Sequence, residues 1–301
     1  MKTLTIITPT FNRADCLKKC WESLKSQTSK DFQWLIIDDG STDNTKETVE
    51  SFISSSSDMC IEYQYKVNGG KHTALNYSHP YIQGKYVAFL DSDDTFTDDA
   101  VEEILKAWEE FGQNSEVGQV IFLKGYSVNE PICYVRNEKT VVDTLKEERI
   151  GETGRDCCDT YRTELFTRYP FPEFEGEKFI GEGSAFLNIE LNSKGVYINK
   201  VIYICEYRQD GLTKAGRAMR LKYAKGGRYN SLMYMNPKLS YKTRIKKAVL
   251  YVAYSEQAKE RLFKDNPYKL LTMAAVIPGT ALKLFWNHKY RNELKGEKDG
   301  K

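Results

Sequence analysis

The sequence predicts an α/β protein: a mostly parallel, Rossmann-like sheet with flanking helices, followed by a basic helical tail. Three observations predict it. Short apolar, β-branched runs alternate with amphipathic helical stretches through residues 4–123. The acid-rich segments fall where those runs end. Charge is divided unevenly: residues 1–210 carry 23 Lys+Arg against 36 Asp+Glu, whereas residues 211–301 carry 21 against 6, leaving a net charge of +2 overall.

The first run, LTIITPT (4–10), is a strand that Pro9 is expected to end. In the next stretch Cys16, Leu17, Cys20, Trp21 and Leu24 have the spacing of one helical face, with Asp15 near the positive end of the helix dipole. FQWLIID (32–38) is the second strand. DGSTDNT is a turn from which Thr42 or Asp43 can cap a helix reaching Ile53. IEYQYK is a weaker third strand, KHTALNYS a short helix and KYVAFLD (85–91) a fourth strand. Val101, Ile104, Leu105, Ala107, Trp108 and Phe111 then mark a helix, and VGQVIFL a fifth strand. Alternation at this rhythm implies right-handed crossovers, and ligands bind such sheets at the carboxyl ends of the strands.

Composition narrows the classes. The chain has 301 residues, enough for one large domain or a domain with an appendage, and its 41% hydrophobic and 29% charged residues suit a globular protein. Its 7 cysteines are scattered, with Cys157 and Cys158 adjacent, so free thiols in a reducing cytoplasm are expected. Met1-Lys2-Thr3 leads straight into a strand-like run, so no signal peptide is expected, and no uninterrupted apolar run reaches the roughly 18 residues of a membrane span.

Three polar groups converge on the predicted carboxyl rim: Thr8, Thr10, Asn12 and Arg13; Asp38 and Asp39; and Asp91 with Asp93 in FLDSDDT. Like charges this close repel unless a cation sits among them. Oxygen ligands favour Mg2+ or Mn2+, ions readily shared with substrate phosphates. The 3 histidines lack zinc-like spacing with any cysteine, and neither G-x-G-x-x-G nor a Walker loop is present. Two enzyme classes place paired aspartates after a buried strand. Haloacid-dehalogenase-like phosphatases would use Asp91 as nucleophile; glycosyltransferases of the A-type fold use D-x-D to hold a metal on a nucleotide-sugar diphosphate. The strings alone leave both open, but the phosphatase motif closes its domain's first strand, and here about three strands precede it.

P-T-F-N-R, I-D-D-G-S-T-D-N-T, N-G-G-K-H-T-A-L-N and F-L-D-S-D-D occur in order, and together they resemble family 2 glycosyltransferases over residues 3–215. The resemblance implies the GT-A fold, with nucleotide-sugar binding in 1–125, an acceptor side in 126–215 and a separate basic helical region in 216–301. It implies that Pro9, Thr10, Phe11 and Arg13 wrap the nucleotide, that Asp39 accepts the imide N–H of uracil, and that Lys71 faces the nucleotide. Ser92 lies in the same nucleotide site. Asp93 becomes the direct ligand of Mn2+ or Mg2+, with Asp91 reaching the ribose or a metal-bound water; Asp94 is read as a cap for the next helix. The donor is then a UDP-sugar.

An inverting transfer also needs a base. In similar enzymes this is often E-D before a helix. Here Glu182 holds that place, Gly183 stands where the Asp would be, and Glu177 is the second candidate. Arg208, Lys214 and Arg217 fall in a segment that resembles a mobile closure and could neutralise the leaving UDP. Q-x-x-R-W, the signature of processive synthases, is absent, which implies addition of one sugar at a time. In the tail, the apolar stretch 270–286 is broken by Pro278-Gly279 and Lys283 and flanked by basic and aromatic residues. An interfacial hairpin on the inner face of the membrane is expected, near a glycan or lipid-linked glycan acceptor. Nucleic acid is not expected as a partner, because no binding motif accompanies the charge. The competing readings are the phosphatase and a nucleotide-sugar-binding protein without catalysis.

Overall fold

The computed structural model describes residues 2–146, 149–150, 156–206 and 212–295. In chain order the elements begin β1 Leu4–Thr10, α1 Ala14–Lys25, β2 Phe32–Asp38, α2 Thr45–Ser55, β3 Cys60–Tyr65, α3 Lys71–Tyr77 and β4 Tyr86–Phe89. Then come β5 Thr95–Phe96, α4 Ala100–Phe111, β6 Val117–Ser127, β7 Glu130–Pro131, β8 Tyr134–Val135, β9 Val141–Val142, β10 Arg149–Ile150 and β11 Cys157–Arg162. The remainder is α5 Thr163–Arg168, α6 Gly183–Asn192, β12 Lys194–Ile204, α7 Leu212–Lys222, α8 Ala224–Met233, α9 Tyr241–Gln257, α10 Lys269–Lys289 and α11 Arg291–Lys295.

The main sheet runs β3-β2-β1-β4-β11-β6-β12-β5, with β7 beside β6 and β9 beside β12; β8 and β10 form a separate pair. The four strands β3, β2, β1 and β4 are parallel, as the alternation predicts. β11 then runs antiparallel to both β4 and β6, and β12 is parallel to β6. All seven residues of β1 and of β2 are buried, so both faces of this central region are covered. Trp34 donates its indole N–H to Thr8 at 2.9 Å, and Trp108 donates to Thr160 at 2.9 Å while stacking on Tyr86. Each buried ring thus has a partner for its polar end.

Two strand expectations change. Pro9 does not end β1, which continues to Thr10. Pairing with β4 stops at Ile7↔Phe89, so at Pro9 only β2 is alongside and the missing N–H interrupts no ladder there. The fourth strand is shorter than 85–91, because Asp91–Asp94 turn away to form the loop of the site.

The chain divides into two units, Met1–Pro170 with Asn188–Tyr207, and Phe171–Leu187 with Arg208–Lys301. Residues 171–187, including Glu177 and Glu182, group with the helices. In the helical unit α9 and α10 pack closely. A Cβ placed on Gly279 would lie 2.5 Å from the Val252 Cβ and 2.9 Å from the Val249 carbonyl oxygen, so only glycine fits at this crossing.

Gly279→Val should therefore destabilise the protein by about 1–3 kcal/mol. Thermal unfolding reads this as a lowered midpoint; an unchanged midpoint would show that α9 and α10 do not approach this closely.

Candidate active site

The loops after β1 and β2 are tied together by short polar side chains. The Asp39 N–H donates to the Thr10 carbonyl at 2.8 Å. Asn12, in the left-handed region at φ 51°, donates its N–H to Ser41 Oγ and accepts from the Thr42 N–H, each at 2.8 Å. Asp38 is buried and accepts from the Ser41 N–H at 2.7 Å and from the Tyr63 hydroxyl at 2.7 Å. Asp43 accepts from the N–H of Ala14 and of Thr45, the first residues of α1 and α2, so one carboxylate serves both helix starts. Burial opposes its charge, but hydrogen bonds from the Thr45 side chain and from the Ala14 and Thr45 backbone hold its pKa below the usual value. The Thr10 hydroxyl is buried with no hydrogen-bond partner among the described residues, and Phe11 beside it in the chain is exposed.

Asp39 is buried and accepts four hydrogen bonds. Lys66 Nζ and the Gly69 N–H reach Oδ1 at 2.7 and 2.9 Å; the Asn68 amide and the Gly70 N–H reach Oδ2 at 3.2 and 2.6 Å. A carboxylate has about four acceptor positions. A uracil imide on Asp39 therefore requires one donor to give way, and the Asn68 bond is the longest. Gly70, at φ 96°, turns the chain so that consecutive N–H groups face the carboxylate and Lys71 begins α3.

The aspartates after β4 each have their own counterpart. Lys71 Nζ hydrogen-bonds Asp91. Burial works against the Asp91 charge, but Lys71 and Lys124 hold its pKa below the usual range. Arg13 lies 3.6 Å from Asp93, and Ser92 between the two aspartates is buried. Asp94 does not cap the next helix, whose N-cap is Asp99. Instead Asp94 accepts from the Tyr203 hydroxyl at 2.7 Å and from the Glu206 N–H at 2.8 Å. The Tyr203 oxygen in turn accepts from the Asp91 N–H at 3.1 Å. Burial, reinforced by Asp91 and Asp93, raises the Asp94 pKa to about 6 against those two donors. Lys124 Nζ sits 4.3 Å from the Tyr203 ring centre and pairs with Asp156 at 3.0 Å.

Pro9, Thr10, Phe11, Arg13, Asp39, Lys71, Asp91, Ser92 and Asp93 thus all lie at the carboxyl ends of β1, β2 and β4 or at the start of α3, as expected. Lys66, Asn68, Lys124 and Tyr203 belong to the same frame and were missed. Lys66 and Asn68 flank N-G-G-K and could have been read as part of that motif; Lys124 and Tyr203 carry no local signal. Among the described residues no three His, Cys, Asp or Glu side chains form a metal cage. With Asp94 committed to Tyr203 and Asp91 paired to Lys71, Asp93 is the carboxylate best disposed to bind. One or two carboxylates with substrate phosphates completing the shell is the donor set Mg2+ and Mn2+ accept, so the residues fit such an ion.

In the helical unit, Glu177 accepts from the N–H groups of Lys225 and Gly226 at 2.9 and 2.8 Å, capping α8; this removes it as the alternative base. Glu182 is exposed just ahead of α6, and its carbonyl accepts from Ala185 and Phe186. A Cβ on Gly183 would lie 2.7 Å from the Tyr234 hydroxyl, so that tyrosine fills the space an Asp would need. Arg217 donates to the Tyr254 hydroxyl at 2.6 Å and lies over Trp286. Arg208 and the Lys214 side chain lie outside the described residues.

The sheet with its flanking helices is that of the GT-A fold, and comparison with known proteins agrees. The profile of glycosyl transferase family 2 matches residues 5–163, and the chain belongs to that family. The chain spans less than a third of the length of several curated relatives it matches. It is 30% identical over 226 residues to glycosyltransferase GlyA of Streptococcus pneumoniae, covering 70% of this chain but 31% of GlyA. It is 28% identical over 221 residues to the GalNAc(5)-diNAcBac-PP-undecaprenol beta-1,3-glucosyltransferase of Campylobacter jejuni, covering 71% and 68%. Among solved structures, Staphylococcus aureus TarS 1–349 with UDP-GlcNAc matches with a TM-score of 0.61 at 19% identity, over 91% of this chain and 79% of TarS. A Pyrobaculum calidifontis mannosyltransferase with GDP-Man and Mn2+ matches with a TM-score of 0.57 at 15% identity, over 93% and 86%. At these identities the structures establish the fold.

Tyr203→Phe removes the donor to Asp94 and the acceptor for Asp91. The expected loss is about 1–3 kcal/mol in urea unfolding. Wild-type stability in this variant would show that the hydroxyl does not hold the loop.

Proposed function

We propose that this protein transfers one sugar at a time, with inversion, from a UDP-sugar to a hydroxyl of a glycan or lipid-linked glycan, using Mn2+ or Mg2+, on the cytoplasmic side. The observation that carries this reading is the rim itself: Asp91 and Asp93 stand beside Lys71 and Arg13, at the same sheet edge as Thr10, whose buried hydroxyl has no hydrogen-bond partner among the described residues. A diphosphate with its cation answers both charge signs at once. The UDP preference rests on Asp39 and is supported by the TarS complex. The acceptor class is supported by the name of the Campylobacter relative, which describes a lipid-linked glycan.

In this reading Pro9, Thr10, Phe11, Arg13 and Ser92 enclose the nucleotide, and Asp39 takes the uracil imide in exchange for the Asn68 amide. Lys71 holds Asp91 charged, oriented toward the ribose or a metal-bound water. Asp93 would hold the ion, which supplies charge neutralisation for the departing diphosphate. Glu182 takes the proton of the acceptor hydroxyl. The acceptor oxygen then forms the new bond to the anomeric carbon as the bond to UDP breaks, with the electron pair leaving on the β-phosphate. Arg208, Lys214 and Arg217 are the cations assigned to that leaving group. The phosphatase reading is set aside: the family match covers the aspartate loop, and Asp91 is ion-paired.

UDP with Mn2+ should raise the unfolding midpoint; a ligand at about 100 times its dissociation constant stabilises by roughly 2.7 kcal/mol. Asp93→Asn should erase that shift. A response to GDP but not UDP would overturn the donor assignment, and no response to any nucleotide would overturn the site.

Glu182→Gln should keep the UDP–Mn2+ shift yet lower UDP release from UDP-sugars, with a simple glycoside as acceptor, by about 10²–10⁴-fold. Undiminished release would remove Glu182 as the base. Nucleotide binding by the wild type without release on any sugar would favour the non-catalytic reading.

A further inference from the structure

α10 has two apolar faces, and one of them is bare. Thr272, Ala275, Gly279 and Trp286 are buried. Two positions earlier at each point, Leu270, Met273, Ile277 and Leu284 repeat the same spacing and are exposed, Leu270 at 82% and Ile277 at 83%. An offset of two residues is about 200° of helix rotation, so these side chains line the opposite face. Phe285 is exposed in the same stripe, as is Pro278, which lacks the N–H for the Ala274 carbonyl. An apolar stripe of this length has no role in a helix that merely packs on α9.

The polar residues around the stripe identify its occupant. α10 contains Lys269, Lys283 and Lys289 and no acidic residue, within a region of 21 Lys+Arg against 6 Asp+Glu. A second copy docking stripe to stripe would bring these cations together, whereas an anionic surface complements them. By length and composition α10 is, among the described residues, the helix able to cross a membrane. Its inner face argues that it lies flat instead. Thr280 hydrogen-bonds the Glu256 carboxylate at mid-helix, and Thr272 accepts from Asn266 at 2.8 Å. A carboxylate held at that depth would be costly in hydrocarbon.

We propose that the outer face of α10 docks on the surface of an anionic lipid bilayer, with Leu270, Met273, Ile277, Leu284 and Phe285 entering the headgroup boundary and the lysines meeting lipid phosphate. This deepens the acceptor reading by naming the surface from which a lipid-linked glycan would be reached, but its test needs no sugar.

The test is flotation of the full chain with vesicles of phosphatidylcholine alone, and with vesicles of equal parts phosphatidylcholine and phosphatidylglycerol, at low and high salt. Binding to the anionic vesicles, weakened by salt, is expected. Ile277→Ser with Leu284→Ser should lower the bound fraction by about tenfold while the unfolding midpoint stays at the wild-type value. Both side chains are exposed, so the fold does not depend on them; Ile277→Ser alone serves as a milder second variant. Absence of flotation with anionic vesicles, or full flotation of both variants, would overturn the proposal. So would a dimer in solution that the double variant turns into a monomer, since a second copy would then own the face. None of these outcomes alters the UDP–Mn2+ response, so failure here is separable from failure of the donor site.

Discussion

Five carboxylates, Asp38, Asp39, Asp91, Asp93 and Asp94, share one edge of the sheet, and the rest of the site is arranged around keeping them there. Left alone they would repel or take up protons. Each has been given a different counterweight: hydroxyl and N–H donors for Asp38, a lysine and a turn of N–H groups for Asp39, Lys71 for Asp91, Arg13 for Asp93, and Tyr203 with the Glu206 N–H for Asp94. Asp93 has the loosest of these arrangements, at 3.6 Å from its arginine. Asp93 is thus the least firmly held of the five.

The same devices fix the backbone. Asp39 shapes the turn that delivers Lys71, and Lys71 in turn answers Asp91, so the loops after β2 and β4 are linked through a single short segment, 66–71. Asp43 does comparable work for α1 and α2. Loops that carry chemistry are normally the mobile part of an α/β fold. Here short polar side chains tie them to one another, which keeps the charged groups positioned before any ligand arrives.

What could be read from the sequence was whatever is local. Strands β1 to β4 and β6 are readable as short apolar, β-branched runs and the helices between them by their period, and the rim residues sit at the strand ends. β11 was not predicted: in CCDTYR, Cys157, Cys158, Thr160 and Tyr161 are all buried, so no two-residue alternation exists to detect. Its antiparallel insertion between β4 and β6 is a tertiary choice. Asp94 was misread for a similar reason, since its partners lie more than a hundred residues away in the chain. Glu182 was preferred to Glu177 from its place before a helix, but no letter showed that two N–H groups of α8 occupy the Glu177 carboxylate. The contacts of Arg217 with Tyr254 and Trp286 were not legible either, because nothing nearby in sequence announces them.

The Tyr203–Asp94 bond joins residues 109 apart. A ribosome would deliver β1, β2 and β4 long before Tyr203 exists. Until β12 arrives, Asp94 would face a closing core with neither of its donors, and the aspartate loop would have no reason to choose its final shape. The donor site is thus written early in the chain but finished late. The family-matched segment 5–163, expressed by itself, would contain the recognisable motifs without the residue that sets their geometry.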